Sequence, residues 1–332
     1  MEDILELVDA FRQCGGQFEN VALSHSEASG FYLYALDTEK DVLVSCPASL
    51  LVNIGDVAVN KEGLFIANPE NYKSNIDFLE KYFSFHFNKK RMKYYFEKRW
   101  QIKSLSRKDV SLISQVLDED QYTIGEYNTV QKYVKRKMVE SHSIRFYNKN
   151  VFMPMMSFLN HSIDGRGFDI KESGISISGK FSGEVFAFYC YMDTMMMAGQ
   201  YDFVTNSKCV YAVPATKILP NGARLVINRY PHKSISSSGG LRKPIIQKDQ
   251  NLVTLSWFPL YLDQLPEYPI EIAQELTEVA GMPADELFRS ILEDNCNLLQ
   301  KVAVELKKSE NSFSQLIAKA AQMQLEIITG TR

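Results

Sequence analysis

The chain changes texture along its length, and that alternation limits the folds open to it more than any other feature. Residues 21–56 and 150–213 carry clusters of β-branched and aromatic residues separated by small ones. Between them, from about residue 68 to residue 140, the pattern is helical and polar, and from residue 266 onward it is helical again. A β-rich body interrupted by helices and followed by a helical tail is an α+β architecture. The predicted organisation is an N-terminal helix over residues 1–20, an interrupted β-rich domain over 21–230 with its insertion at about 68–140, a loop-and-strand connection over 231–265, and a helical domain over 266–332.

Local signals fill in this outline. Ile4, Leu5, Val8 and Phe11 recur at helical spacing before Gly15-Gly16, which predicts a short opening helix. Residues 31–34, 42–44 and 50–52 read as short strands, with Cys46-Pro47 closing the second. Ile76, Phe78, Leu79, Tyr82 and Phe83 mark a helix in the insertion. Residues 231–240, with Ser234, Ser236, Ser237, Ser238, Gly239 and Gly240, read as an exposed loop. Further on, Pro283 opens a long helix through Leu306, and a last helix carries Phe313, Leu316, Ile317, Ala320, Met323 and Ile327 on one face.

Composition narrows the function classes. The 332 residues hold 37 Lys+Arg against 40 Asp+Glu, a formal charge of −3, which gives no global attraction for nucleic acid. With 45% hydrophobic and 12% aromatic residues the chain has the means to build a core and is not a disordered polymer. The basic aromatic run at residues 89–100, with Lys90, Arg91, Lys93, Lys98 and Arg99, is the one candidate for nucleic-acid contact. It reads better as a solvated helix face whose aromatics point inward, offset by Asp118, Glu119 and Asp120. Cys14, Cys46, Cys190, Cys209 and Cys296 are odd in number and widely spaced, which predicts reduced thiols and no metal cage. An acidic start and the lack of an apolar run of roughly 18 residues predict a soluble, cytoplasmic or otherwise intracellular protein with no membrane partner.

The informative segment runs from Phe152 to Ser162, where an apolar run ends abruptly in Asn160-His161-Ser162. Buried or half-buried, such an amide, imidazole and hydroxyl are either satisfied internally or offered to a ligand. His25, His86, His142 and His232 are scattered without ligand spacing and receive no role; Met195-Met196-Met197 reads as core filling, and Asp169 and Glu172 as a solvated edge. Downstream stand Gly183-Glu184-Val185-Phe186-Ala187-Phe188-Tyr189-Cys190 and Tyr201-Asp202-Phe203-Val204; upstream stand Glu27-Ala28-Ser29-Gly30, Asp41 to Pro47 with Leu50-Leu51, and Arg145-Phe146.

In order and spacing these elements resemble the motifs of SET-domain lysine methyltransferases, in the branch that resembles the Rubisco large-subunit methyltransferase. The resemblance covers residues 27 to about 204. It implies S-adenosylmethionine as cofactor and a protein lysine as substrate. By the same resemblance, Asn160 and the backbone of His161 hold the cofactor's amino and adenine groups. Arg145 pairs with its carboxylate, and the turn at Glu27 and Ser29 approaches its polar end. Tyr189 is the active-site tyrosine, while Tyr201 and Phe203 line or support the lysine channel. Arg145 as a plain surface ion-pair residue, and Tyr191 as the functional hydroxyl one register along, remain open alternatives. Ala28, Ser157, Cys190 and Asp202 depart from the family pattern. Those departures keep two further readings in play, a non-catalytic SET-like binding module and a methyltransferase for a small amine.

Overall fold

The computed structural model describes residues 2–26, 30–117, 130–189, 191–229, 243–249 and 251–330. The chain divides into two units, Met1–Arg99 with Tyr127–Tyr189, and Trp100–Glu126 with Cys190–Arg332. Both contain helices and strands, so the fold is α+β. The serine-rich loop at 231–240 and the acidic residues 118–120 lie outside the described residues.

The first unit is organised by a four-stranded antiparallel sheet in the order Gln17–Glu19, Val42–Pro47, Gly174–Gly179, Asp169–Lys171. In its central ladder Ile175 faces Cys46 and Ile177 faces Val44. Val42, Val44, Cys46, Ile175 and Ile177 are all buried, so alternation along both strands feeds one core face. Gly174 is required at the corner: its φ is +148° and a Cβ there would come within 2.2 Å of the Cys46 carbonyl oxygen. The opening helix is Glu2–Gln13. It buries Leu7, Val8 and Phe11 and leaves Leu5 exposed, because Leu5 lies about 100° off the stripe that Ile4, Val8 and Phe11 define. Phe11 packs 5.7 Å from the Phe78 ring of helix Ile76–His86.

Two expectations for this unit are corrected. Only Val52–Asn53 is a strand in the segment predicted as 50–52, and Ala48–Leu50 is a single tight turn. Leu50, Leu51 and Val52 are buried in succession, which a turn permits and an alternating strand does not. Helix Lys89–Lys103 turns Met92 and Tyr95 inward, but Tyr94, Phe96 and Trp100 are exposed. The helical period places Phe96 and Trp100 on a stripe beside the buried one, roughly 100° around the helix from it.

The second unit holds a mixed four-stranded sheet in the order Ala215–Ile218, Arg224–Asn228, Leu252–Ser256, Ile245–Asp249, in which the two middle strands are parallel. Leu225, Ile227, Val253 and Leu255 share a core with Ile272, Leu276, Leu287 and Ile291 of the C-terminal helices. Helix Ala284–Leu306 begins with Asp285 and Glu286 in its first turn, which suits the positive end of the helix dipole. Helix Ser312–Thr329 is capped by Asn311, whose side-chain oxygen accepts from the backbone N–H groups of Phe313 and Ser314. The three methionines at 195–197 are fully buried on helix Thr194–Tyr201, as core filling requires.

A buried polar network ties this unit together. Asp193 caps helix Thr194–Tyr201 through Met196 N–H, accepts from Tyr211 N–H at 3.1 Å, and pairs with Arg229. Arg229 also donates to the Val116 carbonyl at 2.9 Å, and neither charged side chain reaches solvent. Removing one partner leaves a desolvated charge. We therefore expect Arg229→Leu to cost about 3–5 kcal/mol in equilibrium urea unfolding, and Asp193→Asn added to it to recover part of that loss. Simple additivity of the two changes would refute the coupling.

Candidate functional site

The Asn160-His161-Ser162 segment is set in place by a rolled turn. Ser157 N–H donates to Met153, Phe158 N–H to Met155 and Leu159 N–H to Met156. Met155 is buried with φ +66°, a left-handed conformation that costs a non-glycine residue about 1 kcal/mol or more. Ser157 is hydrogen-bonded to the buried Tyr82 hydroxyl. Phe158 fills the interior against Phe31, Tyr82, Phe85 and His86.

The chain then enters strand Asn160–Arg166, which pairs in parallel with Phe186–Ala187, Asn160 opposite Phe186 and His161 opposite Ala187. Gly165 permits the approach: a Cβ there would lie 2.5 Å from the Ala187 carbonyl carbon and 2.8 Å from Phe188 nitrogen. This pairing delivers Tyr189 to the start of the strand. Its backbone N–H donates to His161 Nδ1 at 3.2 Å, and its hydroxyl donates to the Leu159 carbonyl at 2.5 Å. Asn160 Nδ2 donates to Glu184 Oε1 at 2.6 Å. An amide, a phenol and a backbone carbonyl thus converge within one short stretch of backbone.

His161 accepts at Nδ1, so its proton resides on Nε2 and the ring is neutral. Burial is the main reason its pKa falls to about 4, against a smaller raising effect from a bond to the Ala187 backbone. The imidazole is therefore a staple between the strand and the Tyr189 segment. His86 and His142, which received no role in sequence, form a neutral pair elsewhere in the same unit. Arg91 donates to His86 Nδ1 at 3.3 Å and to His142 Nε2 at 2.7 Å. Burial first, and the Arg91 charge second, hold both rings well below the usual imidazole range. The signal that joins them, proximity across fifty residues, has no local trace in sequence.

The other predicted site residues fall as follows. Arg145 lies exposed on strand Ser143–Phe146, with Nε donating to the Tyr147 carbonyl at 2.8 Å. Its two terminal nitrogens have no partner among the described residues. In the second unit, Tyr201 ends helix Thr194–Tyr201 and its ring centroid lies 6.0 Å from that of Phe203. Both pack against a cluster that includes Met192, Met196, Met197 and Trp257, and Tyr191 packs there too. Asp202 sits between them with φ +62°, the left-handed cap of the helix, a conformation that aspartate adopts more readily than most residues. Glu27, Ala28, Ser29 and Cys190 lie outside the described residues. Among the described residues, no group of three or more His, Cys, Asp or Glu side chains could hold a metal ion, and no helix is long and apolar enough to cross a membrane.

No protein-family model matches the chain, and no curated protein matches it. Solved structures do. One is the SET domain of LSMT bound to lysine and AdoHcy, at 13% identity and a TM-score of 0.43; another is Rubisco LSMT bound to AdoMet, at 13% identity and a TM-score of 0.44. Each alignment covers 99% of this chain and 90% of the other. At such identity and superposition the likeness assigns neither chemistry nor substrate.

The three neutral histidines set a pH dependence. Their folded pKa values lie below the unfolded value of about 6.5, so the unfolded chain binds more protons and stability rises with pH in that range. Unfolding free energy is expected to be flat above about pH 7 and to fall as pH drops from about 6.5 toward 4, with a shallower slope in His161→Asn. Chemical denaturation across pH checks this, and a stability maximum near pH 5 would contradict it. Gly165→Ala is expected to destabilise by about 1–3 kcal/mol in the same assay, because the added methyl must displace the Ala187–Phe188 backbone.

Proposed function

We propose that the chain is an S-adenosylmethionine-dependent methyltransferase that acts on a lysine side chain of a protein. The observation that carries this reading is the Tyr189 hydroxyl held on the Leu159 carbonyl at 2.5 Å, directly beside Asn160. The order of the Asn160-His161-Ser162, Tyr189 and Tyr201–Phe203 motifs supports it from the sequence side.

The cofactor supplies an electrophilic methyl on a sulfonium. Asn160 suits its amino group, because the amide Nδ2 is engaged by Glu184 and Oδ1 has no partner among the described residues. Arg145 suits its carboxylate, since two guanidinium nitrogens remain for an ionic contact. The His161 backbone would meet the adenine, and the turn at Glu27 and Ser29 the polar end. The Tyr189 hydroxyl and the Leu159 carbonyl would mark where the methyl and the target nitrogen meet. Tyr201 and Phe203 would form an apolar wall that disfavours the ammonium form of lysine, which has a pKa of about 10.4 in water and no lone pair until it loses a proton. Most of the acceleration in such an enzyme comes from alignment and exclusion of water. A substrate that enters as a single side chain makes the near-neutral charge of the whole chain irrelevant to recognition.

Isothermal calorimetry with S-adenosylhomocysteine should give a dissociation constant below about 1 mM. Labelled S-adenosylmethionine should transfer label to lysine in a cell lysate. Tyr189→Phe should lower that transfer at least tenfold, about 1.4 kcal/mol, while leaving cofactor binding within threefold. No binding at millimolar ligand would overturn the reading.

A further inference from the structure

We propose that Glu184 is a positioning residue that fixes which way round the Asn160 amide faces, and so makes this point of the site a receptor for an N–H donor. The inference rests on the methyltransferase reading for the identity of the ligand, but not for the orientation itself. An ionised carboxylate accepts hydrogen bonds and cannot donate them. The 2.6 Å contact between Asn160 Nδ2 and Glu184 Oε1 is therefore possible in one amide orientation only, with Oδ1 turned the other way. Without Glu184 no other described hydrogen bond fixes the amide, which could then present a donor where an acceptor is needed.

Glu184 has the fixed placement that this role requires. Gly183 accepts from Ala35 N–H at 2.8 Å and Val185 N–H donates to Leu33 at 2.8 Å, so backbone bonds on both sides seat Glu184 against Tyr34 of strand Gly30–Ala35. Two residues on, Phe186 is in register with Asn160. The carboxylate is thus carried to the amide by two backbone pairings. No ion pair competes for it among the described residues. Its negative charge also favours an ammonium as the donor that Asn160 receives. The specificity is one of polarity: an amine or ammonium is accepted, and a group that can only accept hydrogen bonds is not.

Two measurements test this. The first uses calorimetry with S-adenosylhomocysteine, which carries the ammonium, and with methylthioadenosine, which lacks it. Glu184→Ala should weaken S-adenosylhomocysteine about tenfold or more, and Glu184→Lys, which offers only donors, should weaken it further. Glu184→Gln, whose amide both donates and accepts and so pairs with either orientation of Asn160, should fall between wild type and Glu184→Ala, and methylthioadenosine should bind all four proteins alike. Equal losses for both ligands would mean a structural role and would overturn the proposal, as would an unchanged affinity in Glu184→Ala. The second needs no cofactor. In the ¹⁵N-labelled full chain, one Asn160 side-chain proton should be shifted downfield and should lose that shift in Glu184→Ala. Identical Asn160 amide signals in wild type and Glu184→Ala would overturn the proposal whether or not the chain transfers methyl groups.

Discussion

The ladder between Val42–Pro47 and Gly174–Gly179 closes a loop of about 130 residues, and the first unit depends on that closure. Six residue pairs must be in register at once, because a slip of one would turn Val42, Val44 and Cys46 out of the core and bring Leu43 and Ser45 in. Once it forms, Gly179 leads into the segment that carries Glu184 past strand Gly30–Ala35 and Phe186 beside Asn160. The candidate site is therefore a by-product of register. Its amide, phenol and carbonyl are aligned by backbone pairings rather than by side-chain packing alone.

Charge is handled differently in the two units. In the first, Arg91 is held by two imidazoles that burial keeps neutral, so a cation is satisfied by acceptors that bring no opposing charge. In the second, Asp193 and Arg229 are a fully buried pair that backbone groups bond further, with Arg229 Nε left without a partner among the described residues. Asp109 is held chiefly by hydroxyls, with the neighbouring Lys108 charge as the smallest contribution. Burial raises its pKa, but the hydroxyls of Ser309, Ser314 and Ser106 outweigh that and leave it below the ordinary carboxylate range. Neutral acceptors and hydroxyl donors suffice when their geometry is fixed.

What could be read in the sequence was whatever has a local period or a local motif. The helices Ala284–Leu306 and Ser312–Thr329 announce themselves by apolar spacing and, for the first, by Pro283 at its start. The Asn160-His161-Ser162 segment stands out as polarity at the end of an apolar run. What stayed hidden was pairing at a distance. Nothing near Arg229 indicates that it will be buried against Asp193 and Val116, and nothing near His86 indicates His142. Glu184 was visible as part of a motif but not as the partner of Asn160, since parallel register between residues 160–161 and 186–187 has no sequence signature. The outward aromatics of helix Lys89–Lys103 were missed because its apolar residues lie on two stripes and composition does not say which one is buried.

The short segment that opens the second unit governs how this protein can be cut into pieces. Val116 supplies an acceptor for Arg229, Asp109 receives the hydroxyls of Ser309 and Ser314, and the Gln101 carbonyl accepts from Asn311. A recombinant fragment that begins after Tyr189 would contain every strand of the mixed sheet and all four C-terminal helices, yet would lack the partners of Arg229, Ser309, Ser314 and Asn311. A fragment that keeps these bonds needs residues 100–117 as well as the chain from residue 190 onward.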